Sequence, residues 1–347
     1  MLLVGRRDER TRFAALLKEV PTGRRSRLLS RRAAPDHTTA ATSRVVLVHG
    51  LGGSGKSSLL QYFRQMADGT APDSPMAPGR IRTAWLDWED EFRDQPSRYA
   101  DIEGPSLVTV LNALRAAVID TTGDDGRTFG DYLQGAARMP EYAAKFAEVL
   151  AQSRQPESPF TQEDAAALVK SAVSAGLTVA GHPGGLAGLT PDKLSASATA
   201  AGHLSAAATR AVTGKKPADL PPDEYDLVTD PSRELARRLA TAIREIAART
   251  PLVVLLDTGE VIGLRAWSWL RRVMVQTGPR VTWAIGARFE TEAEAGVDSP
   301  IAQFIRDIGD ERLLLMSPTR FDDSMIRDYL GSKAPKRTYT DPEIDQI

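Results

Sequence analysis

Apolar residues follow two rhythms along this chain. Short unbroken runs stand at residues 45–48 (VVLV) and 252–257 (LVVLLD), and another dominates 280–288 (RVTWAIGAR). Runs without polar alternation predict strands covered on both faces. Residues 81–88 (IRTAWLDW) and 311–317 (ERLLLMS) complete the set. Elsewhere apolar residues recur every three or four positions. Phe13, Leu16, Leu17 and Val20 mark one amphipathic helix, residues 57–66 a second, and Trp267, Leu270 and Met274 a third. Leu235, Leu239, Ile243 and Ile246 form one stripe of another. Asp230 is placed to cap that helix, Pro231 suits its first position, and Pro251 stops it. Alternation of buried strands with helices predicts a doubly wound α/β fold with a parallel sheet.

The rhythm breaks in the middle. Residues 92–228 contain no convincing strand and read as a mainly helical, Gly/Ala-rich insertion. Helical pieces are predicted at 107–119, 141–151 and 161–174, the last with a capping-box-like start at Thr161 and Asp164. Residues 193–212 are rich in Ala and Ser with a thin apolar face, and 213–226 read as linker. A core is therefore expected in two parts, residues 1–91 and 229–317, with 318–347 following. Residues 21–43 form a basic, irregular linker, read as a solvated loop, with contact to an anionic partner as the alternative.

Composition narrows the field. The 347 residues carry a formal net charge of -1, so no global field favours nucleic acid or an anionic membrane. There is no cysteine, which excludes disulfides and thiolate-bound zinc and fits a reducing, cytoplasmic compartment. The N-terminus is charged too soon for a signal peptide. The longest uncharged stretch, 171–191, is dominated by Gly and Ala and broken by His182 and Pro183. A spanning helix needs about 20 strongly apolar residues, so no membrane role is expected.

The chemistry concentrates in one motif. Gly50-Leu51-Gly52-Gly53-Ser54-Gly55-Lys56-Ser57 matches G-x-x-x-x-G-K-[ST], with a predicted strand before it and a helix after it. Gly50, Gly52, Gly53, Ser54, Gly55 and Ser58 are read as the nucleotide cradle. Glycines let backbone N–H groups turn inward onto phosphates, and the helix N-terminus adds positive potential. Lys56 is expected to reach the β- and γ-phosphates, and Ser57 to ligate Mg²⁺. The second metal-holding group is Asp257, delivered by an apolar strand to its C-terminal edge. Glu260 is the candidate general base and Arg288, closing its strand, the candidate phosphate-sensing guanidinium. Arg265, Arg271 and Arg272 read chiefly as surface residues, with a finger across an oligomer interface as the alternative. The four histidines, His37, His49, His182 and His203, are scattered and show no ligand spacing. Trp85 and Trp88 read as packing, since no basic residues interleave them for base stacking.

Four segments occur in order: VGRRDE (4–9), GLGGSGKSSL (50–59), LVVLLDTGE (252–260) and VTWAIGAR (281–288). Together they resemble the STAND class of P-loop ATPases, the AAA+-related signal-transduction proteins that include NACHT and NB-ARC types, and above all its large bacterial members. The resemblance covers residues 1–20, 44–91 and 230–330, not the insertion. It implies an AAA+-like parallel sheet sandwiched by helices. It assigns Val4, Gly5 and Arg6 to the segment against the adenine, Lys56 and Ser57 to Walker A, Asp257 and Glu260 to Walker B, and Arg288 to the sensor. Arg7 stands where an acid is usual and Gly259 where a bulky residue is usual. A looser Walker B turn, a weaker base at Glu260 and slow ATP hydrolysis are the expectation. Residues 318–347 look like the start of the family's helical lid. The resemblance implies a longer protein with a winged helix and repeats beyond Ile347; the core starts almost at Met1, so no N-terminal effector domain is expected.

The function expected on these grounds is a switch that binds ATP or ADP with Mg²⁺. A trigger sensed by the C-terminal region would permit exchange, self-association in the ATP state, and defence signalling or regulation. The competing reading is a constitutive ATPase that remodels a nucleic acid or protein partner; its only basic cluster is within 24–32. A small-molecule kinase ranks last, because no compact acceptor-site signature accompanies the loop.

Overall fold

The computed structural model describes residues 6–21, 43–92, 107–124, 126–138, 226–227, 230–262, 264–288, 300–309 and 312–318. In chain order the elements are α1 (Arg7–Lys18), β1 (Arg44–His49), α2 (Lys56–Asp68), β2 (Arg82–Asp87), α3 (Leu107–Thr122), α4 (Pro231–Arg249), β3 (Leu252–Asp257), α5 (Leu264–Met274), β4 (Val281–Ala287), α6 (Pro300–Ile308) and β5 (Leu313–Met316). One-turn helices lie at Trp88–Glu91, Arg127–Phe129 and Gly259–Val261, and a further helix runs over 130–138. The described residues fall into two compact units. The first is drawn from Met1–Glu89, Ala247–Glu260 and Gly278–Ile347, the second from Asp90–Ile246 and Val261–Thr277.

The first unit holds a five-stranded, all-parallel sheet of order β2-β3-β4-β1-β5. β3 and β4 are buried at every position, as their unbroken apolar runs require. The chain leaves β1, crosses to the far edge at β2, and returns through β3 and β4 before β5 adds on the other side of β1. The connections that leave the neighbouring strands β1 and β4 run in opposite directions across the sheet. In open parallel sheets ligands collect outside the carboxyl ends of the strands at such a reversal. The loop after β1 and the residues ending β3 and β4 all lie at those ends.

Helix α2 lays Leu59, Phe63 and Met66 against Val46, Val253 and Ala284 of the sheet. Helix α1 covers α2 in turn: the Phe13 and Phe63 rings stack with centroids 4.0 Å apart and planes 12° from parallel. Each such fully buried side chain contributes about 1.5–3 kcal/mol of transfer free energy. Arg44 opens β1 and pairs with Glu19 at the end of α1 (Nη2–Oε2 2.6 Å), joining the helix end to the strand that leads into the phosphate loop.

The second unit is helical. Asp230 caps α4 as expected: its Oδ1 accepts from the Arg233 N–H at 3.0 Å, and Pro231 opens the helix. From α5, Arg272 donates to Asp230 Oδ2 at 2.9 Å, so this guanidinium serves the cap. Glu234, buried in α4, accepts from Arg237 and Arg238. Residues 92–228 contain no strand among the described residues. The helix over 130–138 and α6 were not foreseen. The pieces at 141–151, 161–174 and 193–212, the uncharged stretch 171–191 and the lid segment 319–347 lie outside the described residues. Among those described, no helix is long and apolar enough to cross a membrane.

Candidate functional site

The loop joining β1 to α2 turns tightly, with Ser54 N–H donating to Leu51 O at 3.3 Å. Gly55 ends it in the left-handed region (φ 80°) and caps α2, a conformation that costs glycine little. Gly52 and Gly53 are exposed, while Ser54 is buried. Ser58 lies half-buried in the first turn of α2. Lys56 folds over the loop: Nζ donates to Gly50 O at 2.8 Å and Leu51 O at 2.7 Å. Two of its three donors are thereby used, leaving one for an incoming anion. Burial draws the Lys56 ammonium below its ordinary range, Glu260 and Asp257 pull the other way, and Arg288 adds to the lowering.

The strand order carries Asp257 to this loop from more than half the chain away. Its carboxylate is buried, accepts at Oδ1 from Thr258 N–H at 2.9 Å and has the Ser57 hydroxyl beside it. Burial pushes its pKa up, against the Ser57 hydroxyl and the Thr258 N–H, and the neighbouring carboxylates of Asp87 and Glu260 add to the rise. β4 makes room for it. A Cβ on Gly286 would lie 2.8 Å from Asp257 Oδ1 and 2.7 Å from Leu60 Cδ1, so any larger residue would force these side chains to shift.

Glu260 and Arg288 meet. The Arg288 backbone N–H donates to Glu260 Oε2 at 2.9 Å, and its Nε stands 3.6 Å from Oε1. The same guanidinium lies over the phosphate loop, where a Cβ on Gly52 would be 3.2 Å from Cζ. Lys56, Ser57, Asp257, Glu260 and Arg288 thus surround one point at the carboxyl edge of the sheet.

Arg6 lies at the underside of the loop. It is 4% exposed, in the left-handed region (φ 58°) at the start of α1, and Nη2 donates to Ser54 O at 2.9 Å. Its Nη1 stands 3.7 Å from Glu9. Val4 and Gly5 lie outside the described residues, as does the side chain of Arg265.

Three residues escaped the reading of the motifs. Asp87 ends β2 directly opposite Asp257 in the register. Thr258 takes a positive φ of 54° and donates through Oγ1 to Asp87 Oδ1 at 2.9 Å. Gly286 admits the carboxylate. For Asp87 a signal existed: IRTAWLD closes on aspartate just as LVVLLD does. Among the described residues no group of three or more His, Cys, Asp or Glu side chains could hold a metal ion by itself. Ser57 and Asp257 do supply two hard oxygen donors side by side, and magnesium commonly takes only one or two protein ligands beside phosphates and water.

No family model matches the chain, and no curated protein or solved structure is similar to it at a significant level. What fold and register define is an α/β protein with a five-stranded parallel sheet.

Proposed function

We propose that this chain is the nucleotide-binding core of a STAND-like signalling ATPase. In this reading it holds ATP or ADP with Mg²⁺, hydrolyses ATP slowly, and uses the exchange to control its own association. One observation carries the nucleotide reading: the hydroxyl that follows the phosphate-loop lysine lies beside the strand-end carboxylate of Asp257, where it favours the ionised form. A Mg²⁺ ion placed between them would be held by Ser57 and Asp257. When bound, it neutralises phosphate oxygens and polarises the bond to be broken.

The residues divide the remaining work. The loop amides and the α2 N-terminus bind the phosphates, and Lys56 turns its ammonium to them. Glu260 would orient and deprotonate the attacking water. Its carboxylate accepts from the Arg288 backbone N–H, however, and lies 3.6 Å from the guanidinium that a γ-phosphate would attract, so base and sensor share one residue. That arrangement favours a switch over a fast engine, because a base tied to the sensor waits on the sensor. Cytoplasmic residence and a trigger acting through further domains belong to the same proposal.

Calorimetry tests the binding. Wild type should bind ATP and ADP in Mg²⁺, and Lys56→Ala should lose most of that affinity; unchanged affinity overturns the assignment. Light scattering tests the switch, with mass expected to rise in ATP once the trigger is supplied. Steady turnover by an unchanged monomer, stimulated by nucleic acid, would instead establish the remodelling ATPase.

A further inference from the structure

We infer that Asp87 is a positioning residue for the metal-holding carboxylate, acting through the strained turn at Thr258. The inference rests on the nucleotide reading above and adds a residue to that site. Thr258 is β-branched, and at φ 54° its backbone is one that such residues rarely adopt. It persists only if its surroundings hold it there. Two hydrogen bonds tie the residue down, one before its Cα and one from its side chain. The Thr258 N–H turns back onto Asp257 Oδ1 at 2.9 Å, and its hydroxyl donates to Asp87 Oδ1 at 2.9 Å. Asp87 is itself fixed, since the same oxygen accepts from Glu89 N–H at 2.9 Å and the β2–β3 register sets it opposite Asp257.

The turn and the carboxylate are therefore one device. The Thr258 hydroxyl, tethered to Asp87, pins the residue and with it the 257–258 peptide plane that carries the Thr258 N–H, and that N–H orients the Asp257 carboxylate. Remove the acceptor on β2, and the tether is lost, the peptide plane is free to turn, and Asp257 loses its anchor. Gly259 next in the chain supplies no bulky side chain to hold the turn. The neighbouring strand supplies the restraint. The role belongs to the hydrogen bond and not to the negative charge of Asp87, which sets the choice of variants.

The experiment is calorimetric binding of ADP to the full chain across a Mg²⁺ titration, with a parallel measurement in EDTA. Asp87→Ala is expected to raise the half-saturating Mg²⁺ concentration about tenfold, the lower end for residues that orient metal ligands. Its ADP affinity in EDTA should match wild type. Asp87→Asn keeps the acceptor oxygen and should stay within about twofold of wild type on the same argument. Thr258→Val keeps shape and loses the hydroxyl, and should reproduce Asp87→Ala even if the latter folds poorly. Thr258→Gly removes the strain, so adding Asp87→Ala to it should shift the Mg²⁺ dependence little. The inference is overturned if Asp87→Ala leaves the Mg²⁺ dependence unchanged, or if Asp87→Asn behaves like the alanine variant. Amide exchange of residues 258–260 in the nucleotide-free protein separates the two levels. Faster exchange in Asp87→Ala supports the clamp even if wild type binds no nucleotide, in which case the site reading alone has failed; unchanged exchange sinks the clamp.

Discussion

A single methyl group decides whether Asp257 can stand where it does. Gly286 lies on β4 with its α-hydrogen facing the carboxylate, and an added Cβ would meet both Asp257 Oδ1 and Leu60 Cδ1 well inside contact distance. Leu60 is fully buried and has nowhere to go. Gly286→Ala is thus expected to cost about 1–3 kcal/mol by overpacking, and to displace the carboxylate as well. Urea unfolding should show the lost stability, and calorimetry in Mg²⁺ should show weakened nucleotide binding. Full retention of both would mean that the strand yields more readily than its burial implies. At this scale the motifs were readable and their supports were not. Lys56, Ser57 and Asp257 announce themselves through spacing and strand position. Gly286 was visible only as a letter of VTWAIGAR, because the need for a missing methyl arises from an atom on another strand. Thr258 was opaque for the same reason: its partner lies on β2, at the far end of a long insertion.

Among the elements, α4 shows how local rules and tertiary contacts reinforce one another. Asp230 accepts from the Arg233 amide, from Ser232 Oγ at 2.7 Å and from Arg272. Burial alone would raise its pKa, but these hydrogen bonds outweigh burial and the net shift is downward. A carboxyl whose folded pKa is depressed stabilises the fold above its unfolded pKa, and loses that contribution as pH falls through the folded value. Asp230→Ala should cost about 1 kcal/mol at neutral pH, the usual worth of an N-cap, and nothing once the acid is protonated. Unfolding curves at pH 7 and at acid pH would reveal the convergence; an equal loss at both would assign the effect to packing. The cap, the proline and the apolar stripe were all legible beforehand because each is a local pattern. Helix α6 carried such a pattern too, with Ile301, Phe304, Ile305 and Ile308 at helical spacing, but it is short and was passed over. The order of the strands was never local. Apolar runs foretell strands, and nothing in a run names its neighbour.

For the whole molecule, the site sets a trade between stability and function. Asp257 is buried and its pKa is raised, chiefly by burial. Here the sign is opposite to that of Asp230. The folded state holds the proton more tightly than the unfolded state, so the favourable contribution is present below the unfolded pKa and is lost as pH rises through the folded one. Above the folded pKa the protein carries the cost of a buried anion. Asp257→Asn should therefore raise the melting temperature of the nucleotide-free chain at pH 7, with the gain shrinking toward acid pH, while abolishing Mg²⁺-dependent nucleotide binding. A melting temperature lowered at pH 7 would show that the anion is already compensated.

The place of β1 between β4 and β5 also has a consequence for biosynthesis. It leaves the ribosome before the other described strands, yet its two neighbours are the last of them to follow. Pairings so remote in sequence close slowly, after the loop entropy of the intervening chain has been overcome. Until then β1 is an apolar segment with two unsatisfied edges, the kind of segment that chaperones shield. The carboxyl edge that gathers Lys56, Asp257 and Arg288 does not exist until the sheet is nearly finished.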